Sequence, residues 1–185
     1  MTNTLFPSLP PALQNNPLLT FGRGIAAYSE VKPEQIAPAI GFLLKHAQEA
    51  VDAATDPQTP ASWDQLVEPL EDATEVLGRA WGVISHLNSV ADTPELRAAY
   101  GEMLPEVTAF LSSLGQNLAL YQKFKELKSS PEYAKLNRAQ KKVIENSLRE
   151  FRLGGAELSD ADKIRFSEIQ DQQAALGKEI GRAHV

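Results

Sequence analysis

Residues 81–100 read Trp-Gly-Val-Ile-Ser-His-Leu-Asn-Ser-Val-Ala-Asp-Thr-Pro-Glu-Leu-Arg-Ala-Ala-Tyr. This segment predicts the end of one long helix, a tight corner and the start of the next. Thr93 is a suitable N-cap, and Pro94 suits a first helical position because its missing N–H would have no partner there. Glu95 then faces the positive end of the helix dipole. We expect the rest of the chain to pack around this helical hairpin.

Apolar residues recur at spacings of three and four on both sides of the corner, as is typical of amphipathic helices. Pro38, Pro69 and Pro105 are expected to kink or restart the helices in which they lie. The predicted fold class is all-α, an up-and-down array of about five long, partly kinked helices. The five helices are expected at about 33–55, 61–90, 94–127, 130–154 and 159–180, the second of them directly after Thr59-Pro60.

Residues 1–31 are rich in Pro, Asn, Gly and Ser and show no sustained period, so we predict an extended N-terminal lead-in. Leu18, Leu19 and Phe21 are expected to anchor it. Residues 32–185 are predicted to form one helical domain, because a chain of 185 residues with 43% hydrophobic content can bury one core.

The composition favours the cytoplasm. Cysteine is absent, which excludes disulfides and thiolate metal sites and makes a reducing compartment acceptable. Prolines occupy the N-terminal region where a signal peptide would need its apolar run. The longest apolar stretches are far shorter than the roughly 20 residues of a membrane-spanning helix. We therefore expect a soluble protein with no membrane partner.

The charge distribution is uneven. A net charge of -6 argues against general nucleic-acid binding. Residues 121–152 nevertheless hold nine Lys or Arg and four Glu, so this region is locally +5 and the remainder is -11. A basic face meeting an acidic partner is one interpretation. A solvated helix face is the other, and Glu145 and Arg149 at the i,i+4 spacing are typical of it.

No histidine pattern predicts a metal site. A zinc peptidase helix needs two His one turn apart with a Glu between them as general base. His46, His86 and His184 are far apart in the sequence. We interpret His46 and Glu49 as an ordinary polar helix face, and His86 as a capping or interhelical hydrogen-bonding residue.

Other catalytic patterns are equally weak. Glu68 with Asp72, and Glu71 with Glu75, have spacings that bring carboxylates together on a helix, but without a pocket they do not indicate catalysis. Residues 22–27 match a dinucleotide fingerprint only formally, because no strand precedes them and no helix opens directly after them. We therefore assign no catalytic residue and no metal ligand to this chain, and its substrate-binding residues stay unknown.

A resemblance carries the functional hypothesis. Ser85-His86-Leu87-Asn88-Ser89-Val90, followed by Pro94-Glu95-Leu96-Arg97-Ala98-Ala99-Tyr100, closely resembles the N-terminal region of bacterial members of the thimet oligopeptidase (M3) family of zinc metallopeptidases. The likeness is collinear from about residue 14 to 180. Further segments that carry it are 16–19, 33–40, 63–70, 76–79, 136–142 and 148–155.

The resemblance implies a place in a larger enzyme. In this family two largely helical domains flank a deep channel with zinc on its floor, and the N-terminal helices form one wall that admits only short peptides. A zinc-activated water attacks the peptide carbonyl, with a Glu as base. The zinc-binding His-Glu-x-x-His helix and a third ligand, a Glu, lie well downstream in the family, and none of these positions exists here.

Two hypotheses follow. In the first, the chain is the N-terminal wall of such an enzyme and is inactive alone. Its partner is then the remainder of the enzyme, and zinc and short peptides are bound only in the whole protein. The alternative is a free-standing helical interaction module without enzymatic activity, with the basic fourth helix as its contact surface. Residues 181–185 depart from the helical continuation that the resemblance leads us to expect, and whether Val185 is a natural end stays open.

Overall fold

The computed structural model describes residues 9–21, 24–91 and 93–182, the last five of these as backbone only. Regular structure in these residues is entirely helical, and the predicted all-α class is confirmed. Eight α-helices occur in the described ranges instead of about five. They are α1 (Pro17–Thr20), α2 (Ile36–Thr55), α3 (Glu68–Val90), α4 (Pro94–Gly115), α5 (Leu118–Ser129), α6 (Pro131–Lys135), α7 (Arg138–Gly154) and α8 (Asp160–Arg182).

Two predicted helices are each divided by an asparagine. The predicted helix at 94–127 was wrong in its length, because Asn117 accepts a hydrogen bond from the Leu120 N–H at 3.0 Å and caps α5. The predicted helix at 130–154 is divided in the same way. Asn137 forms a capping box with Gln140, and α7 begins after it. An asparagine side chain can replace the helical partner of a backbone N–H, so it favours a helix start over a helix interior.

Prolines mark helix starts, as predicted, at two places. A 3-10 turn at Pro33–Gln35 precedes α2, so Pro38 lies in the first turn of α2, where its missing N–H costs little. A π-helical segment, Trp63–Val67, precedes α3, and Pro69 lies in the first turn of that helix. Pro105 lies inside α4.

The described chain divides into two compact units, the first comprising residues 1–47 and 73–106. The helical corner lies in unit 1 and is confirmed. Thr93 Oγ1 accepts a hydrogen bond from the Leu96 N–H at 3.2 Å, and Pro94 is the first residue of α4. The rings of Trp81 and Tyr100 stack with centroids 4.9 Å apart and planes 11° apart, so the two ends of the quoted segment are in contact. The largest fully buried side chains of unit 1 are Leu19, Ile36, Ile40, Leu43, Leu77 and Ile84.

The described part of the lead-in belongs to unit 1 and contains short helical turns. Leu18 and Leu19 are buried, as predicted. Buried Asn16 caps α1 and also donates a hydrogen bond from Nδ2 to the Gln35 carbonyl at 2.9 Å. The Arg79 guanidinium lies 5.2 Å from the centroid of the Phe21 ring. Its Nη2 also donates to the carbonyl of Gly24, so one side chain of α3 attaches the lead-in.

Unit 2 comprises residues 48–72 and 107–185 and has its own core. Its largest fully buried side chains are Leu66, Val67, Leu120, Phe124, Leu127 and Ile144. The Phe124 ring meets Phe151 nearly edge-on, with centroids 5.4 Å apart, which links α5 to α7. The N–H of Trp63 donates to the Glu132 carboxylate at 2.8 Å, so the π-helical segment is held by α6.

Helix α8 begins as predicted and exposes several of its apolar residues. Ser159 Oγ accepts from the Asp162 N–H at 3.3 Å and caps the helix. Ile169 and Leu176, two of its apolar residues, are 41% and 56% exposed. The helix continues through Arg182, past the predicted departure at 181, whereas residues 183–185 lie outside the described residues. Within the described chain, no helix combines the length and the apolar character needed to cross a membrane.

Candidate functional site

The two histidines in the described part of the chain pack against aromatic rings. The His46 ring lies parallel to that of Phe42 one turn away on α2, with centroids 6.4 Å apart. His86 meets the Tyr28 ring edge-on at 5.4 Å, and its interpretation as a cap or interhelical hydrogen-bonding residue was wrong, because it makes no hydrogen bond to another described residue. His184 lies outside the described residues. Across 9–21, 24–91 and 93–182, no group of three His, Cys, Asp or Glu side chains is placed to hold a metal ion.

Glu71 and Glu75, one of the two carboxylate pairs, lie in different surroundings. Burial raises the pKa of Glu71, the nearby Glu150 carboxylate raises it further, and a hydrogen bond with Ser147 opposes both effects. Glu75 instead pairs with Arg79, with oxygen and nitrogen 3.5 Å apart. The formal dinucleotide fingerprint receives no support either, since Gly22 and Arg23 lie outside the described residues and a 3-10 turn follows at Tyr28–Glu30.

A groove of about 420 Å³ in unit 2 is a stronger candidate for a functional surface than the histidines or the carboxylate pairs. It lies where α4 and α8 run beside the C-terminal end of α7. A Cβ added to Gly154 would lie 2.9 Å from the Gly115 carbonyl oxygen and 3.0 Å from its Cα. The absence of a side chain at Gly154 therefore allows the two helix backbones to approach this closely, whereas a Cβ at Gly115 would lie 3.4 Å from the Gly154 Cα. The lining residues are Thr108, Leu111, Ser112, Gly115, Gly154, Phe166, Gln170, Gln173 and Ala174.

Hydrogen bonds hold the two long walls of this groove together. Gln116 Nε2 donates to Ser167 Oγ at 3.1 Å and to the Lys163 carbonyl at 3.4 Å. Ser112 Oγ and Ser167 Oγ are 3.1 Å apart and share one further hydrogen bond. The end of α4 is thereby linked to α8 by polar contacts, which fixes the width of the groove between them.

The groove presents unused polar groups beside apolar ones. Gln170 and Gln173 make no side-chain hydrogen bond to the described residues, and each amide carries two donors and an acceptor. Leu111 is 53% exposed and Phe166 is half-buried. Amide groups next to apolar surface suit a peptide, because they can bond its main chain while its side chains contact Leu111 and Phe166.

Comparison with known proteins gives a family model and several relatives. The model described as Neurolysin/Thimet oligopeptidase, N-terminal domain, matches residues 40–163. Oligopeptidase A of Salmonella typhimurium is 40% identical over 164 residues, which are 89% of this chain and 24% of that protein. Oligopeptidase A of Escherichia coli is 37% identical over 164 residues, with the same two coverages. Probable cytosolic oligopeptidase A of Arabidopsis thaliana is 36% identical over 167 residues, which are 89% of this chain and 23% of that protein. The chain thus spans about a quarter of the length of these curated relatives.

Proposed function

We propose, since the chain belongs to the family of neurolysin/thimet oligopeptidase N-terminal domains, that it forms the N-terminal helical part of an oligopeptidase A-like enzyme that hydrolyses short peptides. The observation that carries this proposal is the family match across residues 40–163. The resemblance found in residues 85–100 is confirmed by the same match. The longer protein of which this chain would be a part is called the parent enzyme.

We propose further that the chain has no activity alone. The resemblance implies zinc, but the described residues do not fit that metal, because they offer no group of three suitable ligands. Any zinc site of the parent enzyme would therefore be formed by other residues. The contribution of this chain would be shape and peptide contacts.

The α4/α8 groove is our candidate for the part of the channel wall that touches peptide. Gln170 and Gln173 offer amide groups, and Leu111 offers apolar surface beside them. A peptide main chain needs such partners when it leaves water, since an unpaired amide in an apolar site costs free energy.

The test compares two glutamines of α8 in the parent enzyme. Gln170→Ala removes an amide from the groove, whereas Gln172→Ala removes an exposed amide that does not line it. Hydrolysis of a quenched fluorescent peptide should show KM raised about threefold to tenfold by Gln170→Ala, with kcat unchanged, and no change with Gln172→Ala. Equal KM and kcat values for the two variants would contradict the proposal that the groove forms part of the channel wall. Chelator-sensitive hydrolysis by the 185-residue chain alone would contradict its proposed inactivity.

The remainder of the parent enzyme is the proposed partner, and α8 is its candidate contact. Ile169 and Leu176 are seven residues apart, two turns along one helix face, and both are exposed. An exposed apolar face on an isolated chain should bind a hydrophobic dye, and Ile169→Ser should reduce that signal. Equal dye binding by the chain alone and by an equimolar amount of the parent enzyme would count against this contact.

Two coarser questions have direct tests. A cytoplasmic location is proposed from the absence of cysteine, and cell fractionation of the parent enzyme tests it.

The coding frame beyond Val185 distinguishes the enzyme hypothesis from the hypothesis of a free-standing interaction module. A downstream His-Glu-x-x-His supports the enzyme, whereas a natural stop codon at that point supports the interaction module.

A further inference from the structure

A second groove in unit 2, of about 570 Å³, combines cations with leucines. We call it the basic groove. The end of α5 contributes Lys128, and one face of α7 contributes Leu148, Arg149, Arg152 and Leu153. The turn that follows α7 contributes Leu158. Glu145 and Glu157 complete the lining.

The leucines of the basic groove are more accessible than core leucines. Leu153 is 71% exposed and Leu158 is 39% exposed, while Leu148 is half-buried. Gly155 adopts a left-handed conformation with φ of 95°, and its carbonyl accepts a hydrogen bond from the Leu158 N–H at 3.0 Å. A Cβ at position 155 would clash with the Leu158 side chain. The turn therefore holds an apolar side chain at the groove edge while most of the Leu153 side chain faces solvent.

The acidic groups of the groove are already engaged. Tyr133 donates a hydrogen bond to Glu145 at 3.1 Å, and Tyr121 donates to Glu157 at 2.8 Å. Burial raises the pKa of both tyrosines, and the carboxylates raise it further, so both phenols keep their protons and remain donors. Arg152 Nε lies 3.5 Å from Glu157.

Two cations have no such partner. Glu145 and Arg149 have the i,i+4 spacing of many helix ion pairs, but Glu145 accepts a hydrogen bond from Tyr133, and Arg149 pairs with no carboxylate among the described residues. Lys128 also lacks a carboxylate partner there. The groove thus offers two unpaired positive charges beside three leucines, in a region that is locally +5.

We infer that the basic groove binds an acidic protein segment that carries leucine-like side chains. Glu or Asp of the segment would pair with Lys128 and Arg149, and its apolar side chains would pack on Leu153 and Leu158. Nucleic acid fits less well, because two carboxylates line the groove and its apolar contacts are leucines, which provide no aromatic face for base stacking. This inference does not depend on the peptidase activity of the parent enzyme.

The experiment uses the 185-residue chain and a fluorescein-labelled peptide of about 14 residues, or four helical turns, with Leu and Glu at helical spacing. A matched peptide carries Lys in place of each Glu. Fluorescence anisotropy should detect the Glu peptide and not the Lys peptide. The affinity should fall when ionic strength rises from about 0.05 M to 0.3 M, because salt screens exposed charge pairs.

Matched variants separate the groove from bulk charge. Arg149→Glu should weaken binding of the Glu peptide about tenfold, and Leu153→Ser should weaken it several-fold. Arg138→Glu makes the same charge change at the start of α7, about 16 Å away along the helix, and should alter affinity less than twofold. Ile164→Ser, a 65% exposed position outside the groove, is the control for Leu153→Ser.

Each alternative has its own result. If Arg149→Glu binds the Lys peptide, the proposed binding site is supported, because an unfolded variant would not bind a peptide of the opposite charge specifically. Circular dichroism checks the fold of every variant. Equal losses from Arg149→Glu and Arg138→Glu, or no binding by the unmodified chain up to about millimolar concentration, would overturn the inference. A dimer in sedimentation that Arg149→Glu dissociates would also overturn it, in favour of a second copy as the occupant.

Discussion

The substitution Gly154→Ala tests the closest backbone contact of unit 2. A Cβ at Gly154 would lie 2.9 Å from the Gly115 oxygen and 3.0 Å from its carbonyl carbon and Cα. All three atoms belong to the backbone, so no side chain can rotate away. To restore an ordinary contact of 3.4 Å, the ends of α4 and α7 must separate by about 0.5 Å.

The size of the effect follows from two opposing terms. Overpacking of this kind costs about 1–3 kcal/mol, while replacing a helical glycine by alanine stabilises by up to about 1 kcal/mol. We expect a net loss of about 1–2 kcal/mol in the free energy of unfolding. For a chain of this size, that lowers Tm by about 2–8 °C.

Gly82→Ala is the matched control for this substitution. Gly82 lies inside α3, and a Cβ there has no neighbour within 4 Å. The same chemical change should therefore stabilise the protein, by about 0.5–1 kcal/mol. Urea denaturation followed by circular dichroism measures both variants, and a shift of the midpoint with an unchanged m value reports stability alone. If Gly154→Ala stabilises the protein as much as Gly82→Ala, the inferred contact between α4 and α7 is refuted.

Three further substitutions have measurable consequences. Because burial and Glu150 raise the pKa of Glu71 above 4.5, its ionisation destabilises the fold at neutral pH. Glu71→Gln should raise Tm at pH 7. The Tm difference between the variant and the unmodified chain should disappear as the pH falls through the raised pKa to below 4.5. A Tm difference that does not depend on pH would contradict this explanation. Arg79→Leu should speed proteolytic cleavage within residues 24–31 several-fold with little change in Tm, whereas unchanged cleavage would show that other contacts hold this segment. Asn117→Ala removes the α5 cap and should cost about 1 kcal/mol in urea denaturation, and a shift no larger than that of an exposed Gln172→Ala would argue against the cap.

Local signals explain what could be predicted from the sequence. The corner depends on Thr93 and Pro94, which are adjacent in the chain and act on the first turn of one helix. The stripe Ile36, Ile40 and Leu43 shows the spacing of a helix face, and all three residues are fully buried. Both signals arise within a few residues, so the sequence alone contains them.

The helix breaks at Asn117 and Asn137 were missed for a physical reason. The apolar period continues across Asn117, from Phe110 to Tyr121, and both of these residues are buried. The spacing of apolar residues therefore indicates which residues face the core, but it does not show whether those residues belong to one helix or to two. Asparagine has only a modest preference against helix interiors, and the break is decided by the cap hydrogen bond that the folded chain forms.

The candidate site could not be predicted because its parts are distant in sequence and ordinary in type. Gln116 bonds Ser167 across 51 positions, and both residues look like unremarkable polar positions of surface helices. The close approach of Gly115 and Gly154 is equally invisible before folding, since glycines next to helix ends usually indicate only a stop. The sequence likeness to the family, in contrast, includes helix caps and buried apolar stripes. Such residues maintain the fold and do not identify a binding site. Evidence for function must therefore come from groove residues such as Gln170, whose side chain makes no hydrogen bond to the described residues. Removing that side chain should weaken ligand binding without lowering the stability of the fold.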